Sequence, residues 1–354
     1  MSRIFARSPY IIEVNESGQS GSKVELFIWN SGTQPANPQY TLSKDIPTST
    51  NLQTTYNISP YILEYFNMNS WSGIYNTADL NTPTDSYANV VVKRYKDVSG
   101  TFTLLDTIDY TAFNGYTLFT EGSNKDLGRI LLDEGTYYYK KPTGSQSLDE
   151  NKAGSITFDC SLNDEIRYTN LLDLGTTTYT ITSAGVKDFP RVLQANLNDG
   201  NKIEYYSNGT TLVATFNFLP QCELKYTPVI IDYVNRYGAW ARTFFYKTSK
   251  RAFKTSYSDF SSLHSNLVNY DVTEAKNSSF NFKGEEEITT NSGWVKESYA
   301  EEIKQIMLSD RILADGVPVK CDTKSLDIQT GLDNKTISYS LKFKVASDYI
   351  NNIV

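Results

Sequence analysis

The chain of 354 residues offers few side chains able to make or break bonds. Its one histidine, His264, sits in Ser261-Ser262-Leu263-His264-Ser265, a polar and loop-like setting. A serine or cysteine nucleophile needs a base within reach, and imidazole is the usual one. His264 reads as an ordinary surface histidine, and no serine stands in a G-x-S-x-G elbow. The three cysteines, Cys160, Cys222 and Cys321, lie far apart. Their spacing suits neither zinc nor a redox pair, and an odd count speaks against a disulfide framework. They read as buried thiols of a chain made in a reducing cytosol.

Oxygen chemistry is sparse too. Gly18-Gln19-Ser20-Gly21-Ser22-Lys23 has glycines and a lysine but not P-loop spacing, and a strand-like pattern follows it. Asn196, Asn198, Asp199 and Asn201 surround Gly200, but the glycine is misplaced for an EF-hand loop, and a hairpin turn explains the cluster. Paired carboxylates are the enzymatic option left, because a glycan-cleaving enzyme needs only two. Glu285-Glu286-Glu287, Glu301/Glu302 and Asp106/Asp109 are the candidates. Each has a plainer reading: a solvated strand end, the wet face of a helix, and an exposed alternating strand. The expectation is a protein that is not an enzyme and holds no cofactor or metal.

The elements that would position any site are mostly strands. Val24, Leu26 and Ile28 alternate with Glu25, Phe27 and Trp29. Asn57-Ile58-Ser59-Pro60 reads as a helix start, with Ser59 capping and Ile62, Tyr65 and Phe66 forming a short stripe. Val90–Tyr95 and Thr101–Tyr110 are strands around a turn. Tyr137–Tyr139 and Ser155–Phe158 bracket residues 140–154, read as a long projecting hairpin loop. Lys202–Tyr206 and Thr211–Phe218 flank Asn208-Gly209, a hairpin turn. Pro228–Val234 and Trp240–Tyr246 are two further strands.

Near the C-terminus Phe280 and Phe282 alternate on a strand. Val295, Tyr299, Ile303, Ile306 and Met307 predict a helix of about 15 residues. Asp315-Gly316 starts Val317–Cys321, and a hairpin turning at 331–335 leads into the last strand. There Ile337, Tyr339, Leu341, Phe343 and Val345 face inward, and Ser338, Ser340, Lys342 and Lys344 outward. This order makes an α+β module, a sheet packed on one helix.

The composition bounds the class. At roughly 150 residues per domain the length suits two to three domains. With 33 basic against 40 acidic residues the net charge is −7, which disfavours a broad nucleic-acid-binding face. The densest basic stretch, Lys247, Lys250, Arg251 and Lys254, reads as a solvated edge or loop. No apolar segment reaches the ~18 residues of a spanning helix, and the opening residues lack the apolar run of a signal peptide. Aromatics make up 13% of the chain, 26 of them tyrosines, and tyrosine-rich surfaces suit protein interfaces or sugar platforms. Tyr137, Tyr138 and Tyr139, with Lys140 and Lys141 beside the loop, are the candidate interface residues. One or two of the tyrosines must face outward unless both faces of their sheet are covered.

Two blocks of sequence carry a resemblance. The first is Arg7-Ser8-Pro9-Tyr10-Ile11-Ile12, then Lys23–Trp29 and Ile58-Ser59-Pro60-Tyr61-Ile62. The second is Tyr233-Val234-Asn235-Arg236-Tyr237-Gly238, then Asn291–Val295, the helix to Leu308-Ser309, Pro318-Val319 and the closing strand. Together they resemble virion structural proteins of tailed phages infecting Bacteroidetes, the crAss-like phages among them. The resemblance implies a tail hub, ring or adaptor subunit around the DNA-ejection channel, assembled in the bacterial host cytoplasm. Its partners would be other copies of itself, neighbouring tail and portal-side proteins, and DNA that passes without specific binding. A receptor- or glycan-binding tail protein and a tail-associated glycan hydrolase are the alternatives. The fold expected is mainly β. It comprises an N-terminal β-sandwich (1–120), a β-rich middle region (121–222) with the loop at 140–154, and an α+β helix-on-sheet domain (223–354). The last is similar in element order to tail-tube-like domains, an analogy of fold alone.

Overall fold

The computed structural model describes residues 2–68, 82–83, 86–141, 153–221, 227–262, 268, 273, 275–296, 299–327 and 337–350. The chain divides into two compact units. The first is Met1–Cys222 with Tyr233–Thr243, and the second is Glu223–Asp232 with Phe244–Val354.

The protein is mainly β. In chain order the described elements begin with β1 (Ser2–Phe5), β2 (Ile11–Val14), β3 (Gly21–Trp29), β4 (Tyr40–Asp45), β5 (Thr54–Asn57) and α1 (Ser59–Met68). Then come β6 (Thr82–Pro83), β7 (Tyr87–Val98), β8 (Thr101–Phe113), β9 (Gly135–Lys140), β10 (Ser155–Cys160), β11 (Glu165–Asn170) and β12 (Thr176–Thr180). β13 (Gly185–Pro190), β14 (Asn201–Ser207), β15 (Thr211–Gln221), β16 (Val229–Val234), β17 (Trp240–Phe245) and β18 (Lys250–Ser261) follow. The last are β19 (Asn277–Val295), α2 (Tyr299–Leu308), β20 (Ile312–Ala314), β21 (Val317–Cys321) and β22 (Ile337–Val345).

In the first unit, five strands pair in the order β1-β8-β7-β3-β4. The β-branched run Val90-Val91-Val92 makes β7 a natural central strand. The layer over this sheet is not a second full sheet but the two-stranded ribbon β2-β5 plus α1. Val24, Leu26, Ile28, Val90 and Val92 meet Val14, Tyr56, Ile62 and Phe66 in one core. Each such burial is worth roughly 1.5–3 kcal/mol. Ser59 does not cap α1 with its hydroxyl. That hydroxyl donates to the Ser8 carbonyl at 2.6 Å, while Asn57 Oδ1 accepts the Ser59 amide at 3.2 Å.

Arg7 of the first sequence block and the Tyr233–Gly238 stretch of the second are tied to neighbouring residues of one segment inside this unit, while the rest of the second block lies in the second unit. Arg7 donates its amide to the Gly115 carbonyl at 2.9 Å, and Tyr116 donates to the Arg236 carbonyl at 2.7 Å. Asn235 Nδ2 donates to the Leu131 carbonyl at 2.8 Å, and Arg236 pairs with Glu121 at 2.8 Å. Gly115 has no room for a side chain, because a Cβ there would lie 2.4 Å from the Arg236 carbonyl oxygen. These motifs act as joints of the fold.

The other sheets of this unit run β12-β11-β14-β15-β9 and β10-β13-β6. Asn208 and Gly209 turn β14 into β15 with φ of 49° and 66°, the conformation an Asn-Gly turn selects. Between the sheets Phe158 packs on Tyr205 at 5.1 Å and on Phe216 at 6.1 Å. The strands around residues 140–154 are not a hairpin. β9 runs parallel to β15, and β10 pairs with β13 in a different sheet. Alternation reveals a strand but not its partner. Residues 142–152 of that loop lie outside the described residues.

The second unit holds the strand run β20-β21-β22-β19-β18. β22 alternates as expected, with Ile337, Tyr339, Leu341 and Phe343 buried; Val345 is half-buried. The expected helix is shorter than its pattern. Val295 still belongs to β19, and α2 spans ten residues with Ala300, Ile303, Gln305 and Ile306 buried. Gly293, at φ 76°, sits in a register shift between Asn291 and Trp294 of β19. The expected turn at 331–335 lies outside the described residues.

Candidate functional site

Of the candidate interface residues, Tyr137–Lys140 lie on β9, at one edge of its sheet, and Lys141 follows it. Tyr139 is buried, and its hydroxyl donates to the Leu197 carbonyl at 2.8 Å. Tyr137 stacks on Phe218 at 5.5 Å and donates to the Asp133 carbonyl at 2.6 Å. The buried Arg191 guanidinium lies 5.4 Å from the Tyr137 ring. Both tyrosines are thus engaged in packing. Tyr138 is exposed, and Lys140 and Lys141 are half-buried beside it.

The side chains considered for chemistry are occupied by structure. Cys160 is buried, and burial pushes its thiol up to about 12, where it is inert as a nucleophile. Cys321 is also a free thiol, raised by burial. His264 and Cys222 lie outside the described residues. Asp106 pairs with Arg94, whose hydrogen bonds hold its carboxyl below the ordinary range, and Asp109 is exposed. Glu301 is exposed and pairs with Lys304 at 2.6 Å. Around Gly200 the amides satisfy one another: Asn170 Nδ2 reaches Asn196 Oδ1 at 3.0 Å, and Asn201 Nδ2 reaches the Arg191 carbonyl at 3.2 Å. That segment joins β13 to β14 of another sheet, so it is a turn between sheets and not a hairpin. Among the described residues no group of three or more His, Cys, Asp or Glu is placed to hold a metal.

The glutamate triplet brings a surprise. It stands within β19, not at a strand end, and Glu287 is buried. Lys254 of β18 reaches it at 2.7 Å and Lys342 of β22 at 3.0 Å. Hydrogen bonds from Lys254 and then Lys342 hold its carboxyl below the ordinary 4.5. Lys344 pairs with Glu285 at 3.2 Å, which makes a ladder of alternating charge across three strands. Of the basic stretch, Lys250, Arg251 and Lys254 open the edge strand β18; Lys254 joins that ladder, while Arg251 pairs with Asp315 at 3.4 Å and Glu286 at 3.8 Å on the other face.

Beyond this ladder the sheet narrows to two strands. β22 pairs with β19 over Glu287–Val295, while β18 pairs with it from Thr289 out to Asn277. The outer stretch is a two-stranded ribbon. Its aromatics Phe253, Tyr257, Phe260, Phe280 and Phe282 are 48–53% exposed. Odd positions of β18 share a face with even positions of β19, the face on which Ile288, Leu341 and Phe343 are buried. Phe253 and the Tyr257–Phe282 pair, at 5.4 Å, continue that core face outward. Phe253 lies over Gly284, where an added Cβ would come within 2.8 Å of its ring. Tyr349 closes on Phe253 at 4.6 Å.

A bulge then divides the aromatics. Ser256 is opposite Lys283, but Ser258 is opposite Phe280, so β19 carries one residue more than β18. Asn281 takes up the extra residue with φ of 55°. Regular alternation would put Phe280 and Phe282 on one face. The bulge sends Phe280 to the other, where it meets Phe260 at 5.8 Å. Aromatic side chains therefore occupy both faces of the ribbon tip. Sequence reasoning found Phe280 and Phe282 but not the ribbon. The signal was there in a strand rich in Ser and Thr that carries three aromatics and no apolar alternation.

No known protein family matches the chain. No curated protein matches it. Among solved structures it is weakly similar to one described as "Structural insight into host cell surface retention of a 1.5-MDa bacterial ice-binding adhesin", with 11% identity. That comparison covers 82% of this chain and 88% of the other, at a TM-score of 0.15, which carries no argument about fold or function.

Proposed function

We propose that this chain is a structural subunit of a bacteriophage tail, a hub, ring or adaptor part assembled around the DNA-ejection channel. It acts by docking and not by catalysis. The sequence resemblance to tail proteins of phages infecting Bacteroidetes points there. The observation that carries the docking reading is the β18–β19 ribbon. An isolated two-stranded ribbon is marginal in water. Exposed aromatics on both its faces are the mark of a surface that a partner covers. The edge strand β9, with Tyr138 outward, offers a second contact by strand addition.

A ring closes through head-to-tail contacts between unlike surfaces, and two separate surfaces on one chain meet that need. The net charge of −7 suits a wall past which DNA slides without sticking. The test is the protein content of purified phage particles. The reading expects this chain in many copies per particle at the tail. Its absence from particles, or turnover of a polysaccharide by the purified chain that is lost on changing one carboxylate to its amide, overturns it.

A further inference from the structure

Among the described residues β18 pairs with β19 on one side and with no strand on the other. Eleven of its twelve residues are exposed, and Ala252 is half-buried. An edge this long and open is a template for another strand. It contains no proline, and its bulge lies on β19, so β18 itself alternates without interruption. It carries charge of both signs on one face, Arg251 toward one end and Asp259 toward the other, with Phe253 and Tyr257 between them. That arrangement is complementary to itself when reversed.

We propose that the free chain pairs with a second copy by antiparallel addition of β18 to β18, about a two-fold axis at Thr255. Such an axis, normal to the sheet, keeps every side chain on its own face. It must therefore pass through a residue and not between two. At Thr255 and at Ser256 the overlap is longest. Arg251 then stands opposite Asp259 of the second copy, Phe253 opposite Tyr257, and Thr255 opposite itself. On the other face Lys254 meets Ser256, and no like charges face each other. An axis at Lys254 sets Arg251 against Tyr257 and leaves Asp259 outside the overlap. One at Ser256 sets Phe253 against Asp259. Length excludes the axis at Lys254, and charge and aromatic pairing then select Thr255 over Ser256.

This contact goes beyond the tail assignment and does not depend on it. A two-fold contact closes on itself and joins chains in pairs. Pairing also hides an edge that would otherwise recruit strands at random. Sedimentation of the purified full chain is the first measurement. The proposal expects a species of twice 40.0 kDa at micromolar concentration.

Thr255→Cys then adds a thiol on the axis. Paired antiparallel Cα atoms lie ~4.5–5.5 Å apart, within disulfide reach, so mild oxidation must give a covalent dimer that the unsubstituted chain does not form. Arg251→Asp and Asp259→Arg each put like charges opposite at two symmetric places and should weaken pairing about tenfold. The double variant R251D/D259R should return it to within about threefold of the unsubstituted chain. A monomer at ~100 µM, a dimer indifferent to both single reversals, or no crosslink through position 255 overturns the proposal. None of these outcomes bears on whether the chain is found in phage particles.

Discussion

β19 passes through two environments in one strand. From Glu287 to Val295 it lies along β22, with β18 on its other side as far as Thr289, and Ile288, Thr290 and Ser292 are buried. From Asn277 to Glu286 it pairs, among the described residues, with β18 alone, and most side chains are exposed. Aromatic content does not separate the halves, since the exposed half carries Phe280 and Phe282 and the inner half carries Trp294. What differs is β22, which lies along the inner half and not the outer, and the burial that comes with it. The inner half is a core strand, and the outer half is a surface built to receive one.

Substitutions can break or sharpen this contrast. Leu341→Ala on β22, against the inner half, should cost about 2–5 kcal/mol in urea unfolding of the second unit, because it opens a cavity at a fully buried site. A loss below ~1 kcal/mol would mean that the inner half is not the core. Asn281→Val should cost about 1–2 kcal/mol, since a β-branched residue resists φ of 55°. Relief of that strain removes the bulge and brings Phe280 and Phe282 to one face, visible as altered aromatic contacts by NMR.

Acid should act on the ladder between the halves. Glu287 has a folded pKa below the ordinary 4.5, so its contribution is complete above that pH and is lost as pH falls through the depressed folded value. Glu287→Gln should flatten this acid slope of the unfolding midpoint, and Glu285→Gln, at an exposed position, should leave it nearly intact. Equal slopes for the two variants would remove the ladder from the account. The smallest effect belongs to Phe282→Ala, which should change the stability of the monomer by about 1 kcal/mol, because about half of the side chain stays in water.

Much of the fold is legible in the residues. The alternation of β22, the Asn-Gly turn at Asn208 and the β-branched centre of β7 each identify an element from local chemistry. Partners were not legible. Nothing in Tyr137–Tyr139 says that β9 runs parallel to β15 while β10 joins another sheet, because pairing is decided by distant residues. The length of α2 was overestimated because Val295 falls at the helical spacing but belongs to β19. Glu287 looked solvated because its two lysine partners sit on strands remote in sequence. Tyr137 and Tyr139 looked available because the carbonyls of Asp133 and Leu197 that hold their hydroxyls are invisible to composition.

Amide hydrogen exchange on β19 tests the account most directly. In the dilute chain the amides of Asn277–Glu286 should exchange much faster than those of Glu287–Val295. In the assembled particle the outer half should slow to match the inner. An outer half that still exchanges freely in the assembly would contradict the claim that this ribbon is where the chain makes its contacts.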